Sequence, residues 1–299
     1  MASFAPWAAA LAGFRLVRER PLAVLAWAGV IFLGRQVSQI LITVISGKFM
    51  PALDAAVNAK TIDPQVVLLA YQAVAPGYVA GGLVLMPFGA IMIAAIYRAY
   101  LRPEENRWCF LRLGREEAAV LALILCLDLM AMGALAFAGA LIGALANLAA
   151  STGDATGALV ELLGLAGAVC ALVWGVVRLA LAWPLTFQSG RLVLLPSWKR
   201  TRGHAWPLLA AFVLAEGLMA VVAILLFSVC LGLTGAAMVA SGGTMEQIGD
   251  ALKPPSVVAD IFAPLPLVFS AFQSLLLALG AATLAGVAVS AHHGLDVQA

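Results

Sequence analysis

The chain has 299 residues, of which 64% are hydrophobic and 11% charged, with a formal net charge of +2. Soluble domains carry about 25% charged residues. Apolar runs longer than about 18 residues, the length that crosses a bilayer core of about 30 Å, recur along the sequence. The composition excludes an ordinary soluble domain and predicts an all-α membrane helix bundle. A β-barrel is disfavoured because the apolar runs are continuous rather than alternating with a period of two.

Residues 1–20 are expected to form an interfacial amphipathic helix rather than a span. Four apolar residues recur at spacings of three and four, on one face of a helix: Phe4, Trp7, Leu11 and Phe14. Arg15 and Arg18 follow this apolar stripe, which places the helix in the headgroup region of a bilayer. A frayed tail is the alternative. No cleavable signal is expected, because the basic residues come late and no small-residue cleavage site follows a short apolar core.

Six further segments are apolar enough to cross a bilayer, so the sequence predicts a single integral membrane domain over residues 1–299. The expected spans are residues 22–46, 77–100, 117–149, 157–183, 206–240 and 265–291. The loop between the first two spans is expected to break at Pro51, Pro64 and Pro76, and the fourth span at Pro184. The third span exceeds a perpendicular crossing, and its Gly139-x-x-x-Gly143 pair suits close helix contact.

The distribution of Lys and Arg predicts the orientation of the spans. One side of the membrane collects twelve of them: Arg15, Arg18, Arg20, Arg98, Arg102, Arg107, Arg112, Arg115, Arg191, Lys199, Arg200 and Arg202. The other side has Lys48, Lys60 and Lys253. Since positive charge in short loops favours the cytoplasmic side, both termini are expected in the cytoplasm.

Three short stretches align without gaps, each with an apolar residue, a basic residue and an Arg three positions further on. They are Phe14–Arg18, Leu111–Arg115 and Trp198–Arg202. One interpretation is a threefold repeat of helical hairpins, each made of an interfacial basic helix, an outgoing span and a returning span. The other is that every cytoplasmic turn of a membrane protein is basic, so that the likeness arises without a repeat.

The basic turns are expected to contact membrane lipids, because cations near anionic headgroups gain about 1 kcal/mol each. The residues expected to contact headgroups are Arg15, Arg18, Arg112, Arg115, Trp198, Lys199, Arg200 and Arg202. These lipid contacts suffice to explain the arginines, and no nucleic-acid partner is expected.

Four charged residues are expected inside spans as a buried charge cluster: Arg35, Asp128, Arg178 and Glu216. At about 1.5 Å per residue, Asp128 and Glu216 fall near the middle of the core, and Arg178 lies deep if its helix continues through Pro184. A charge at the bilayer centre costs at least about 2.5–3.5 kcal/mol, so we expect pairing, for example of Arg178 with Asp128 or Glu216. For Arg35, Gln36 and Gln39 are further candidate partners. Ion pairs that fix helix contacts are favoured, and a polar path for a proton, ion or headgroup is the alternative.

The sequence contains no recognisable catalytic motif. None of the three histidines has the close His, Cys or carboxylate company that zinc needs. There is no Gly-rich phosphate loop, no G-x-S-x-G and no H-E-x-x-H motif. We therefore expect no catalytic residues, no metal and no cofactor.

The stretch from Arg178 to Trp206 has an arginine in a span, a Pro-containing turn, and Ser197-Trp198 with Arg200 and Arg202 before an outgoing helix. This pattern resembles the YciC-type integral membrane families. It is also similar to the membrane domain that accompanies some glycerophosphodiester phosphodiesterases. The resemblance implies a six-helix protein of a bacterial inner membrane of alphaproteobacterial type, and it supplies no catalytic residues.

Two functions follow as hypotheses. The leading one is a non-enzymatic inner-membrane protein that acts through contacts with lipids, with a second copy of itself or with another membrane protein. The alternative is a carrier or channel for a lipid or small polar solute that uses the four charged residues. A water-accessible cavity that reaches all four would favour the carrier.

Overall fold

The computed structural model describes residues 6–59, 63–150, 154–240, 249 and 253–296, and these are mainly helical. The α-helices in this part of the chain are α1 Pro6–Glu19, α2 Pro21–Ser46, α3 Met50–Val57, α4 Pro64–Leu101, α5 Arg115–Ala150, α6 Asp154–Leu179, α7 Ala182–Ser189, α8 Leu195–Arg200, α9 Ala205–Ala240, α10 Val258–Ile261 and α11 Pro264–Asp296. A short 3-10 turn covers Gly47–Phe49, and Arg107–Phe110 form a turn with non-helical backbone. The outer-loop residue Lys60 and most of the loop after α9 lie outside the described residues.

Six of the described helices are long and apolar enough to cross a bilayer, which confirms the predicted all-α fold. They are α2, α4, α5, α6, α9 and α11. The starts of α2, α5 and α9 lie at the same end of the bundle as the ends of α4, α6 and α11. We call this the basic end, and α1, α7 and α8 pack beside it. At about 1.5 Å per residue, the 38 residues of α4 extend beyond a core of about 30 Å.

The second span begins at Pro64, so the expected break at Pro76 is wrong. Proline inside a helix removes one backbone hydrogen bond and crowds the carbonyl four residues earlier. The hydroxyl of Ser46 on α2 compensates for the disturbed backbone hydrogen bonding on either side of Pro76. It accepts from the Gly77 N–H at 3.0 Å and donates to the Val74 carbonyl at 2.9 Å. A side chain of the neighbouring span therefore allows the helix to continue through Pro76.

The fourth span ends earlier than expected, at Leu179, and the chain restarts as α7 at Ala182. Pro184 is the third residue of α7, within the first turn, where backbone N–H groups have no partner inside the helix. The proline is therefore compatible with a helix start rather than a break. The correction moves Arg178 from the interior of a long helix to the last turn of α6.

The expected contact through Gly139 and Gly143 is not formed in the described part of the bundle. A Cβ atom placed on either residue would have no neighbour within 4 Å. The close approach between α5 and α6 lies at Gly164, where an added Cβ would meet Ile142 Cγ1 at 2.7 Å. In a segment this rich in small residues, spacing alone does not select the face that packs.

The helix α11 lies at the centre of the bundle and has the largest buried share of the six spans. Its Ala278 and Ala282 pack into the main core beside Trp27 of α2 and Ile96 of α4. The helix α1 also packs on α11, through a face that contains Ala9, Ala10, Gly13 and Leu16. The face that carries Trp7 and Leu11 is exposed. Phe14 of the predicted apolar stripe is half-buried, and Phe4 lies outside the described residues.

The threefold repeat of local structure is not found. Phe14–Arg18 lies within α1, and Trp198–Arg202 covers the end of α8 and the following turn. The middle stretch differs, because Leu111 is extended with φ −73° and ψ 128°, and α5 begins only at Arg115. The expected basic helix before the third span is wrong. Left-handed backbone immediately before Leu111 prevents a helix from continuing there.

Candidate functional site

The four charged residues expected to cluster do not form ion pairs with one another among the described residues. Arg35 on α2 instead donates a hydrogen bond to Gln273 Oε1 of α11. The neighbouring Gln36 donates to Ser270 Oγ at 2.8 Å. Uncharged amide and hydroxyl groups of the last span therefore serve this part of α2, and the predicted pairing with an acid is wrong.

Arg178 lies between aromatic rings at the basic end. Its guanidinium carbon is 4.7 Å from the ring centroid of Trp198 and 5.9 Å from that of Trp174. The residue is only 6% exposed, and its buried Nε has no hydrogen-bond partner. No described Asp or Glu forms a salt bridge with it. A cation over tryptophan is stabilised by the ring quadrupole, which replaces only part of its hydration.

The end of α6 is held to α8 through the backbone. The carbonyl of Arg178 accepts from Ser197 Oγ at 3.0 Å and from Thr201 Oγ1 at 3.1 Å. Both hydroxyl-bearing residues are fully buried. These bonds fix Trp198, which lies between them in sequence, over the guanidinium. Trp206 packs against Trp174 with ring centroids 6.4 Å apart, and so extends the aromatic cluster at this expected membrane boundary.

Both acids of the expected cluster are exposed, and they differ in what lies beside them. Asp128 is on an exposed face of α5. Glu216 on α9 lines a cavity of about 840 Å³ between α4, α6, α9 and α11. Neither acid forms a salt bridge within the described part of the chain. Arg35, Asp128 and Arg178 do not line this cavity, so it reaches one of the four residues.

A charge network that the sequence did not single out joins α4 to α5 at Arg98. Arg98 was expected among the cytoplasmic cations, but its side chain is 1% exposed. Its Nη2 donates to Glu116 Oε2 at 2.8 Å and to Glu117 Oε1 at 2.5 Å. Arg102 Nη1 donates to Glu116 Oε1 at 2.5 Å. The available signal was the cluster of glutamates at the start of α5, opposite in sign to the arginines that end α4.

The turn between α4 and α5 has three consecutive left-handed residues that are not glycine. Trp108, Cys109 and Phe110 have φ of 52°, 56° and 66°. Such a conformation costs roughly 1–2 kcal/mol per residue. Two side chains hold it in place. Arg98 Nη1 donates to the Phe110 carbonyl at 2.6 Å, and Trp27 Nε1 donates to the Cys109 carbonyl at 3.0 Å.

The residues expected to contact headgroups are all exposed: Arg15, Arg18, Arg112, Arg115, Trp198, Lys199, Arg200 and Arg202. Arg112 also donates to Glu105 at 3.2 Å. Their exposure leaves the charges accessible to lipid, although lipid contact stays a prediction. Within the described residues, no three His, Cys, Asp or Glu side chains come together as metal ligands.

Six apolar spans and a set of exposed cations at one end define a multi-pass integral membrane protein. Comparison of the chain with protein-family models, with curated proteins and with solved structures finds no match. The resemblance to YciC-type families and to phosphodiesterase membrane domains stays a prediction.

Proposed function

We propose that the chain is a non-enzymatic protein of a bacterial inner membrane that binds anionic lipid headgroups at its basic end. Both termini then face the cytoplasm. The observation that carries this proposal is Arg178, a buried guanidinium stacked on two tryptophans without an acidic partner in the described residues. A cation in this position needs an anion, and the nearest source outside the protein is the phosphate of a lipid.

The attachment of α8 to α6 does not use the guanidinium. Ser197 and Thr201 bind the Arg178 backbone carbonyl, a bond that any residue at position 178 would offer. The positive charge is therefore not needed to dock these helices. This argument favours a ligand for the side chain over a purely structural role.

The surroundings of Arg178 suit a lipid headgroup. Lys199 and Arg202 are exposed on α8 and the turn after it, and Trp206 is 73% exposed. Tryptophan is enriched at the level of the headgroups, where its ring lies in the apolar region and its N–H reaches polar groups. Arginine binds phosphate oxygens through two parallel N–H donors, which lysine cannot do.

The test is retention of lipid by the purified protein. Wild-type protein and three variants are exchanged into detergent with phosphatidylglycerol or phosphatidylcholine, and bound lipid is counted by native mass spectrometry. We expect Arg178→Gln to weaken retention of phosphatidylglycerol about tenfold, since hydrogen bonds to charged groups contribute about 1.5–3 kcal/mol. Arg178→Lys is expected to restore only part of it.

Arg191→Gln is the matched control, because it removes one exposed positive charge from the same turn without touching the tryptophans. If Arg191→Gln and Arg178→Gln lost phosphatidylglycerol equally, the effect would be explained by net charge alone. That result would contradict a specific site at Arg178. Chemical change of the lipid during incubation would contradict the non-enzymatic part of the proposal. If the mass spectra showed a second copy of the chain bound rather than lipid, self-association would be favoured instead.

The carrier hypothesis receives less support. A path through the membrane was expected to use Arg35, Asp128, Arg178 and Glu216 together. The cavity is lined by Glu216, and the other three residues are not part of its lining.

A further inference from the structure

The cavity at Glu216 is almost entirely apolar. Its walls include Ile93 of α4, Val177 of α6, Phe212 of α9 and Ala285 of α11. Its volume of about 840 Å³ falls within the range of about 300–1,000 Å³ that pockets for drug-sized ligands occupy. Four spans meet around it, so it is a feature of the assembled bundle rather than of one helix.

Glu216 is the single charged side chain among the described residues that line the cavity. It follows the start of α9 by eleven residues, or roughly 17 Å at about 1.5 Å per residue. This depth is near the middle of a membrane core of about 30 Å. No salt bridge to Glu216 is formed within the described part of the chain. An ionised carboxylate there requires a counter-charge.

The aromatic residues of the lining point to the same ligand charge. Tyr97, Trp183 and Phe212 contribute to the walls, on three different helices. The faces of such rings attract cations and repel anions, with an effect of about 2 kcal/mol when the site is free of water. The carboxylate therefore selects one sign of charge within an apolar volume, and a ring face that meets the ligand adds to this selection.

We propose that this cavity binds a lipophilic organic cation, with Glu216 as its counter-charge. The apolar walls select a ligand that already partitions into the membrane, and the carboxylate rejects anionic lipids of the same size. A neutral apolar ligand would fill the volume but leave Glu216 unpaired. The site does not depend on headgroup binding at Arg178, because Arg178 is not part of its lining.

The probes are two ions of the same shape and opposite charge, tetraphenylphosphonium and tetraphenylborate. Saturable binding is measured to the full chain in nanodiscs of phosphatidylcholine, and partition into empty nanodiscs is subtracted. We expect tetraphenylphosphonium to bind the wild type saturably and tetraphenylborate not to, each ion being titrated separately because the two pair with each other. Glu216→Gln is expected to weaken binding about tenfold, because the variant lacks the one charged group among the described residues of the lining.

Asp128→Asn is the matched control, since it neutralises an acid of a neighbouring span that lies outside the cavity lining. It is expected to bind tetraphenylphosphonium as the wild type does. Glu216 is exposed, so Glu216→Gln is expected to leave the stability of the fold nearly unchanged. Wild-type affinity for tetraphenylphosphonium in Glu216→Gln, or saturable binding of tetraphenylborate as tight as that of tetraphenylphosphonium, would overturn the proposal.

A second variant tests the cavity without changing charge. Gly217 lines the cavity, and a Cβ atom added there would meet no atom within 4 Å. Gly217→Leu should therefore fill part of the volume and reduce binding severalfold. Gly232→Leu, at another open position of α9 outside this lining, should not. Unchanged tetraphenylphosphonium binding in Gly217→Leu would mean that the ligand binds outside this cavity. A change in phosphatidylglycerol retention alone would concern the proposed lipid site at Arg178 and not the cavity.

Discussion

Arg98 and Glu117 form a buried ion pair between the end of α4 and the first turn of α5. Arg98 Nη2 lies 2.5 Å from Glu117 Oε1, and the two side chains are 1% and 6% exposed. Glu116 and the Phe110 carbonyl occupy further donors of the same guanidinium. One arginine thus joins two spans and fixes the turn between them.

Loss of this arginine should destabilise the bundle strongly. Arg98→Ala leaves the buried Glu117 without its salt-bridge partner and removes one of the two arginines that bind Glu116. Breaking a buried pair in this way costs about 3–5 kcal/mol. We expect a matching fall in the free energy of unfolding, measured by circular dichroism as the mole fraction of SDS rises in mixed micelles. The control is Arg112→Ala, whose side chain is 65% exposed and bridges to Glu105 alone among the described acids. Exposed pairs contribute about 0–1 kcal/mol, so equal loss in both variants would be inconsistent with the network.

The left-handed turn allows a stabilising substitution. Trp108 has φ 52° and is 85% exposed, so glycine would relieve backbone strain there with little loss of packing. We expect Trp108→Gly to raise the free energy of unfolding by about 1 kcal/mol in the same micelle assay. Leu113→Gly is the comparison, because Leu113 is 79% exposed in the same turn but has negative φ. It should be neutral or destabilising, and a gain of equal size there would argue against strain at Trp108.

The sequence predicted the number of spans, because length and hydropathy are set by the thickness of the bilayer. It also predicted their approximate ends, except at the start of α4, which lies at Pro64 rather than near residue 77. It predicted side-chain partners poorly. In lipid, an apolar helix face packs equally well against a neighbouring helix or against acyl chains. The sequence therefore suggested a close helix contact at Gly139 and Gly143 of α5, whereas the close approach of α5 and α6 lies at Gly164. The termination of α6 at Leu179 also changed the expected depth of Arg178.

Buried polar partners were the other source of error. Arg35 was expected near an acid or a neighbouring glutamine and instead bonds Gln273, 238 residues away in sequence. The effect of Pro76 depends on Ser46, which lies on a different span. To predict either contact, one must know which helices pack together. The pattern of residues within a single helix does not contain that information. The exposed cations of the basic end are easier to predict, because position in a turn suffices.

Ser46 and Pro76 should be energetically coupled. Ser46→Ala leaves the Val74 carbonyl and the Gly77 N–H without this partner, and unsatisfied buried groups cost about 1–3 kcal/mol. In a Pro76→Ala background the helix can form its own backbone bonds around residue 76, so the same substitution should cost less. A double-mutant cycle of unfolding free energies measures the difference. Additive effects would mean that the Ser46 hydroxyl does not compensate for the proline.

Gly13 should be required for docking of α1. A Cβ atom at this position would lie 2.3 Å from Thr283 Cα in the backbone of α11, which cannot move as a side chain can. We expect Gly13→Ala to displace α1, with a loss of about 1–3 kcal/mol from overpacking and faster trypsin cleavage at the exposed Arg15 and Arg18.

Gly29→Ala on α2 is the control, because its Cβ would meet nothing within 4 Å. Alanine should stabilise that helix by up to about 1 kcal/mol. If Gly13→Ala retained wild-type cleavage rates and stability, close packing of α1 against α11 would be contradicted.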